Sequence, residues 1–310
     1  MWKLDWRIVL CVILVASQVK DASQVKITRH TVPDFVESGK EDFVILDCDY
    51  DLEKTPSEGL VVKWFRNEVE LVYQWINARD EKDTDGWKKP QSVPPFDKYV
   101  DLRYKASEDK SKMWRAIKLR NPTPELTGNY TCTVFGVAGN EATSKKPMVV
   151  YSTGKNFSLI QSKRSVNGTE GVELTCFAED LYPRPNLQIY VEGVEQIQRP
   201  EVTQSVDNML YAISSRILLK DKDLPEEVTV GCNLTIPEAR YSVSDDSVYY
   251  PGSPITTTTA TTTLQRKMDI QASDNSQPDT VIGGGNAVSS IPNGLMILLV
   301  NTLVVCSSIF

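Results

Sequence analysis

Four cysteines in the middle of the chain constrain its fold more than any other feature. The other two of the six, Cys11 and Cys306, lie in apolar runs at the two ends of the 310-residue sequence. Four cysteines allow three pairings, and their order along the chain favours one bridge in each half. No Cys-x-x-Cys spacing suggests a zinc site. The favoured bridges are Cys48–Cys132 and Cys176–Cys232.

The segment between the first two cysteines carries further marks. Cys48 stands in FVILDCDY and Trp64 in LVVKWFRN, both of which read as strands, and Tyr130 stands two residues before Cys132 in LTGNYTCTV. This set of residues is typical of an immunoglobulin domain, with Trp64 and Tyr130 in its core. The long interval between the cysteines leaves room for additional strands, so we predict a variable-type domain over residues 25–151.

The second pair of cysteines is closer together, which suits a constant-type domain over residues 153–238. Two usual marks are absent from it. Tyr190 holds the position where tryptophan is usual, and Val230 holds the position two residues before Cys232. The bridging cysteines and the strand pattern still favour a sandwich. We therefore predict an all-β chain of two tandem immunoglobulin-like β-sandwiches, the first variable-type and the second constant-like.

The first residues resemble a secretory signal peptide. Lys3 and Arg7 precede a short apolar run, and small residues follow, which places the predicted signal peptide at residues 1–17. A short membrane anchor is the alternative, although the run is too short to span a bilayer comfortably.

Beyond the second domain, residues 239–285 are rich in threonine, with TTTTATTT at 256–263. A segment with so little apolar surface cannot offset the entropy of ordering, so we predict a disordered stalk. Threonine-rich stalks are typical sites of O-glycosylation, and an unmodified linker is the alternative.

The last residues, 286–310, read as a signal for attachment of a glycosylphosphatidylinositol (GPI) anchor. Three small residues are followed by a polar spacer and a short apolar tail without a lysine or arginine after it. The predicted attachment residues are Gly283, Gly284 and Gly285, with Asn286 or Ser289 as alternatives. A transmembrane helix is the competing interpretation, but it would need a longer apolar run and flanking basic residues.

The net charge of −7 argues against nucleic-acid binding, which requires a basic face. The sequence contains no motif of a known catalytic, cofactor or metal site, so no catalytic residue, cofactor, metal ligand or small-molecule substrate is predicted. The one histidine, His30, lies in a polar stretch and is expected to be solvated.

Four Asn-x-Ser/Thr sequons are candidates for N-glycosylation, as exported chains are modified at many such sites. Asn156 and Asn167 lie in loop-like contexts, whereas Asn129 and Asn233 flank bridging cysteines on predicted strands.

Bulky side chains on both faces of VKWFRNEVELVYQWI, residues 62–76, predict a binding surface. If Trp64 points inward, its neighbours point outward on the same sheet as the outward residues before and after Cys132. The predicted contact residues are Lys63, Phe65, Tyr73, Trp75, Thr133 and Phe135. A contiguous aromatic patch on a soluble domain usually marks a contact surface. The alternatives are a register shifted by one residue, or a loop over residues 80–95 that covers the patch.

The segments LDCDYDL, GLVVKWFRN, ELVYQWI and NPTPELTGNYTCTV closely resemble the beaten path family of arthropod neuronal surface proteins. The resemblance implies a two-immunoglobulin ectodomain that recognises sidestep-type immunoglobulin receptors on other cells, guiding axons and matching synaptic partners. It also implies binding mainly through the first domain. With the predicted anchor, the protein would sit on the outer leaflet of the plasma membrane. The alternatives are a homophilic adhesion molecule and a soluble secreted immunoglobulin-domain factor.

Overall fold

The computed structural model describes residues 24–84, 86–137, 139–166 and 168–253. Across this part of the chain every regular element is a β-strand or a short 3-10 turn. The prediction of an all-β, immunoglobulin-like chain is therefore confirmed. The predicted signal peptide, the threonine-rich segment after residue 253 and the C-terminal tail lie outside the described residues.

The first sandwich is built from two sheets around one apolar core. Its strands are β1 (Lys26–Thr31), β2 (Phe35–Glu37), β3 (Phe43–Asp51), β4 (Val61–Arg66), β5 (Glu70–Ile76), β6 (Gln91–Ser92), β7 (Ile117–Arg120), β8 (Gly128–Phe135) and β9 (Glu141–Val166). Strands β1, β3 and β7 form one sheet. In the other, β9, β8, β4, β5 and β6 are neighbours in that order, and β2 pairs in parallel with β9.

The second sandwich repeats this plan with fewer strands. The strands that follow β9 are β10 (Thr169–Tyr182), β11 (Asn186–Val191), β12 (Val194–Gln196), β13 (Glu201–Gln204), β14 (Tyr211–Lys220), β15 (Val228–Ile236) and β16 (Tyr241–Tyr249). One sheet has the order β13-β14-β10-β9 and the other has the order β12-β11-β15-β16.

Strand β9 belongs to both sandwiches. Its first half pairs with β8 and its second half pairs with β10, so one continuous strand passes from the first sandwich into the second. Gly154 allows this passage because its φ of +79° is a left-handed conformation, and a Cβ there would lie 2.4 Å from the carbonyl oxygen of Glu179.

Both disulfides are the ones that the order of the cysteines in the sequence favours: Cys48 with Cys132 and Cys176 with Cys232. Trp64 and Tyr130 are fully buried beside the first bridge. The Trp64 indole donates to the carbonyl of Arg115 at 3.0 Å. The Tyr130 hydroxyl donates to the carbonyl of Leu126 at 2.7 Å, which is the tyrosine corner of this fold.

In the second sandwich, Tyr190 is not the residue that packs on the bridge. Ile189 is directly opposite Cys232 and is fully buried, whereas Tyr190 is half-buried and its hydroxyl donates to Gln188 at 3.1 Å. The expected core position is therefore displaced by one residue. Because successive residues of a strand point to opposite faces, only Ile189 can point towards the bridge.

The second sandwich also extends beyond residue 238, where we expected the stalk to begin. Strand β16 pairs with the whole of β15, from Ile236 opposite Tyr241 to Val228 opposite Tyr249. Its alternate residues are half-buried, and Tyr249 is buried against the core. The polar composition of this strand concealed it because one of its faces is solvent-exposed.

His30 is buried, contrary to the expectation from its polar surroundings in sequence. It lies opposite Cys48 in the β1–β3 pair, so its ring points between the sheets and lies 5.4 Å from that of Trp64. Its side chain is 8% exposed, and Nδ1 lies 2.9 Å from the hydroxyl of Ser144. Burial, together with the positive charge of Lys146, lowers the pKa of His30 to about 4.

Candidate protein-binding face

The outward side of β9, β8, β4 and β5 forms the candidate binding surface, which we call the front face. It is defined by the outward side chains of Lys63, Phe65, Gln74, Thr133 and Phe135. Trp64 and Cys132 point into the core, so their neighbours on β4 and β8 must point outward. The cross-strand pairs Lys63 with Thr133 and Lys63 with Gln74 place these residues in one row.

The two phenylalanines of the front face lie at different heights on the sheet. Phe65 is opposite Thr131, and Phe135 is opposite Val61. Both rings are half-buried. The Lys63 ammonium is 5.4 Å from the centre of the Phe135 ring, which fits a cation–π contact. A basic side chain thus lies between two partly exposed aromatic rings.

Thr133 points outward as expected, but it is only 7% exposed. Its hydroxyl lies 3.2 Å from that of Thr143 on the neighbouring strand, which donates to it. Neighbouring side chains on a flat sheet cover a residue as short as threonine. Thr133 is therefore part of the front face but offers little contact area to a partner.

Tyr73 and Trp75 do not belong to the front face, and the prediction that they point outward is wrong. Trp75 is 1% exposed and Tyr73 is 2% exposed. They lie opposite Val62 and Trp64, both of which point inward. The register is therefore shifted by one residue from the one that we favoured.

A β-bulge explains why Val72 and Tyr73 are both buried although they are adjacent. Trp64 pairs with Tyr73 and Phe65 pairs with Leu71, which leaves Val72 as an additional residue on β5. A bulge of this kind lets two successive side chains point to the same side of the sheet. Gln74 and Ile76 then take the outward positions that we assigned to Tyr73 and Trp75.

The inward aromatic side chains of β5 are covered by a segment that the sequence analysis did not include. The Trp114 ring lies edge-on to that of Trp75, with the ring centres 5.9 Å apart. The Tyr73 hydroxyl donates to the carbonyl of Trp114 at 2.9 Å. Trp114 lies three residues before β7, and the alternation IKLR at 117–120 was the signal that could have identified this strand.

Ion pairs border the front face at the turn between β4 and β5. Arg66 donates to Glu70 at 2.7 Å, and Lys145 pairs with Glu68. The hydrogen bond from Arg66 holds the pKa of Glu70 below its ordinary value, and the one from Lys145 does the same for the pKa of Glu68. These carboxylates therefore stay charged at neutral pH.

A concavity of about 360 Å³ opens at the other border of the front face, beside β5 and β6. Gln74 and Ile76 line its base, and its walls carry charges of both signs. The lining residues are Gln74, Ile76, Asp80, Asp83, Lys88, Lys89, Pro90 and Gln91.

The opposite side of the first sandwich has a different chemistry. Arg115 donates to both carboxylate oxygens of Asp47, at 2.8 and 3.1 Å, and Lys112 pairs with Asp49 at 2.9 Å. A bidentate pair of this kind satisfies its own charges. This side therefore carries two internal ion pairs, whereas the front face presents aromatic, amide and basic groups.

Three of the four sequons lie within the described residues, and Asn167 lies outside them. Asn129 and Asn156 are exposed, whereas Asn233 is half-buried and accepts a hydrogen bond from Ser242 at 3.0 Å. Asn129 lies on β8 in the same outward row as Phe135. The predicted attachment residues Gly283, Gly284 and Gly285 lie outside the described residues. In the part of the chain that the structure describes, no helix is long and apolar enough to cross a membrane.

Comparisons with known proteins identify the fold of this chain but no narrower family of proteins. No family model matches the chain, and no curated protein sequence matches it. A crystal structure of bovine butyrophilin is 14% identical, with a TM-score of 0.54, and the match covers 73% of this chain and 98% of that one.

Two further solved structures have lower TM-scores. A structure of ICOS in complex with ICOS-L and an anti-ICOS-L VNAR domain is 17% identical over 70% of this chain and 100% of that one, with a TM-score of 0.48. A structure of Rst D1-D2 is 12% identical over 72% of this chain and 97% of that one, with a TM-score of 0.45. At these identities the likeness is one of fold alone.

Proposed function

We propose that this protein is a cell-surface recognition protein of the beaten path type. It binds a sidestep-type immunoglobulin receptor on another cell through the front face of its first sandwich. The observation that supports this proposal most directly is the arrangement of Phe65 and Phe135 around Lys63 on two adjacent strands. Contacts made through this face match axons with their synaptic partners.

Aromatic side chains on a flat sheet suit a protein partner better than a small molecule. Interfaces are enriched in phenylalanine, tyrosine, tryptophan and arginine, and a few such residues provide most of the binding energy. Full burial of one phenylalanine contributes roughly 1.5–3 kcal/mol from area alone. Two rings that are already half-buried support a specific contact of moderate strength.

The resemblance to the beaten path family supports the choice of partner. The segments that carry it, GLVVKWFRN, ELVYQWI and NPTPELTGNYTCTV, contribute strands β4, β5 and β8. These are the three central strands of the sheet that bears the front face. The part of the sequence most similar to the family is therefore also the part that builds the proposed contact surface.

The proposed location is the outer leaflet of the plasma membrane, through a GPI anchor attached at one of the glycines at 283–285. The test is release of the surface-expressed protein by a phosphatidylinositol-specific phospholipase. Release supports the anchor. Retention together with cytoplasmic exposure of a C-terminal tag would favour a transmembrane helix, and secretion without treatment would favour a soluble factor.

The binding test uses a multimerised form of residues 24–253 and cells that each display one sidestep-type receptor, because avidity reveals weak contacts. We expect one receptor to bind. We expect Phe135→Ala to weaken binding roughly tenfold, since about 1.4 kcal/mol corresponds to that factor, and Phe65→Ala, which lies opposite Thr131 and closer to the Asn129 sequon, to weaken binding less. Ile160→Ala and Leu218→Ala are the controls, because both side chains are 49% exposed on the second sandwich.

Equal affinity of the wild type and both phenylalanine variants would exclude the front face. Binding to no receptor by a folded probe would exclude the partner class. In that case, a dimer in sedimentation at tens of micromolar that is lost in Phe65→Ala would favour homophilic adhesion through the same surface.

A further inference from the structure

The sequon at Asn129 lies on the front face itself, although glycosylation sites are usually sought away from contact surfaces. Asn129, Thr131, Thr133 and Phe135 alternate with the inward residues of β8, so all four point to the same side of the sheet. The Asn129 side chain is exposed. It is two residues from Thr131, which is about 7 Å along a strand.

The main chain at Asn129 is fixed in place by the turn that connects β4 and β5. The amide of Asn67 donates to the carbonyl of Asn129 at 2.8 Å, and the amide of Asn129 donates to the Asn67 side chain at 3.1 Å. These two bonds hold the backbone on both sides of the residue. A group attached to the Asn129 side chain therefore leaves the sheet on the outward side.

Strand β9 places two exposed residues at known positions relative to this sequon. Pro147 is directly opposite Asn129, and Lys145 is opposite Thr131. Glu141 is opposite Phe135, which is six residues from Asn129 and hence about 20 Å away along the strand. The front face thus has an end near Pro147 that carries the sequon and an end near Phe135 that does not.

We propose that an N-linked glycan on Asn129 covers the Pro147 end of the front face and confines the receptor to the Phe135 end. N-linked glycans are bulky and polar, so a partner cannot pack closely around the attachment point. The confinement of the receptor rests on the proposed function, whereas the covering of the Pro147 end does not.

The covering is tested on the full-length chain expressed on cells, without any receptor. Lys145→Cys and Glu141→Cys each introduce one exposed thiol, one at either end of the face. We expect the labelling rate with a polyethylene-glycol maleimide, relative to a small maleimide, to be at least fivefold lower at position 145 than at position 141. Adding Asn129→Gln should remove this difference.

A second variant controls for any effect of Asn129→Gln other than loss of the glycan. Thr131→Val also destroys the sequon and keeps the shape of the side chain. The Thr131 hydroxyl is buried and has no hydrogen-bond partner among the described residues, so its removal breaks no hydrogen bond. Mass spectrometry should find Asn129 glycosylated in the wild type. An unmodified Asn129, or equal relative labelling at both positions, would overturn the proposal.

The confinement is tested by receptor binding to the glycosylated chain. We expect Phe135→Ala to reduce binding roughly tenfold and Lys145→Ala to change it less than twofold. Phe65→Ala, opposite Thr131 at the border of the covered end, should reduce binding less than Phe135→Ala. Equal losses in both variants would show that the receptor reaches the Pro147 end, which contradicts confinement. Binding to no receptor would count against the proposed function, while the labelling result would still decide whether the glycan covers this end.

Discussion

The two sandwiches share one plan but fill its central position with different side chains. In the first, Trp64 lies opposite Cys132, and in the second, Ile189 lies opposite Cys232. All four residues are essentially buried, with Cys232 at 1% exposure and the others at 0%. A disulfide and inward alternation are therefore sufficient to define the sandwich, and the aromatic residue at this position is replaceable by an aliphatic one.

The residues two positions before the second cysteine differ in the same way. Tyr130 donates a hydrogen bond to the carbonyl of Leu126, whereas Val230 has an apolar side chain and fills the same inward position. The first sandwich thus uses aromatic residues with polar tips where the second uses aliphatic residues. Each polar tip donates a hydrogen bond to a backbone carbonyl outside the strands, Trp64 to Arg115 and Tyr130 to Leu126.

The first sandwich also has a longer strand next to β4 than the second sandwich has next to β11. Strand β5 has seven residues, whereas its counterpart in the second sandwich, β12, has three. The longer strand broadens the front face, but its inner side requires its own core. Tyr73, Trp75 and Trp114 provide that core, so the front face is supported by aromatic packing beneath it.

Among the variants that test this comparison, Trp75→Ala should cause the largest loss of stability. Removal of a fully buried tryptophan costs about 3–5 kcal/mol, because it leaves a cavity beneath β5. Chemical unfolding should show the first sandwich destabilised and the second unchanged. Trp87→Ala, at a half-buried position, is the control and should cost much less. Similar small losses in both variants would show that Trp75 does not support the sheet.

The second expected effect is a pH dependence due to histidine, which only the first sandwich has, since the chain contains a single histidine. Burial lowers the pKa of His30 from 6.5 to about 4, so in this interval the unfolded chain binds a proton that the folded chain does not. Stability from this residue is therefore complete above pH 6.5 and is lost as the pH falls towards 4, by roughly 1–3 kcal/mol.

The measurement for His30 is thermal unfolding of the wild type and His30→Phe across this pH interval. The difference between the two proteins isolates the histidine from the carboxylates that titrate in the same range. We expect the slope of stability against pH to be smaller in His30→Phe for the first sandwich alone. Identical slopes in both proteins would contradict the assignment.

Tyr130→Phe should have a smaller effect, about 1–2 kcal/mol, since it leaves the carbonyl of Leu126 buried without its donor. Tyr190→Phe in the second sandwich is the matched control. Its hydroxyl donates to the half-buried Gln188, so we expect a loss below about 0.5 kcal/mol. A loss of equal size in the two variants would mean that the tyrosine corner contributes nothing specific to the first sandwich.

The smallest effect on stability is expected from Phe65→Ala. The ring is half-buried on the front face, so its truncation should cost less than about 1 kcal/mol. Ile160→Ala on the second sandwich should behave similarly in unfolding but not in receptor binding. Loss of several kcal/mol in Phe65→Ala would indicate that this side chain supports the fold and is not a contact residue.

The sequence by itself determined the number of sandwiches, the disulfide pairing and the inward direction of β4 and β8. Each of these follows from local rules. The order of four cysteines selects the bridges, and strict alternation places Lys63 and Phe65 outward once Trp64 is placed inward. The alternation involves only neighbouring residues, so the directions of these side chains do not depend on the rest of the fold.

Only the tertiary structure decided which side of β5 is buried. The bulge at Val72 shifts the register by one residue, and a one-residue shift moves every following side chain to the other face. Trp114, which covers the inner side, lies far from β5 in sequence. The tertiary structure also decided the burial of His30 and the inclusion of β16 in the second sandwich. A polar segment becomes a strand when a partner strand supplies its hydrogen bonds, as β3 does for β1 and β15 does for β16.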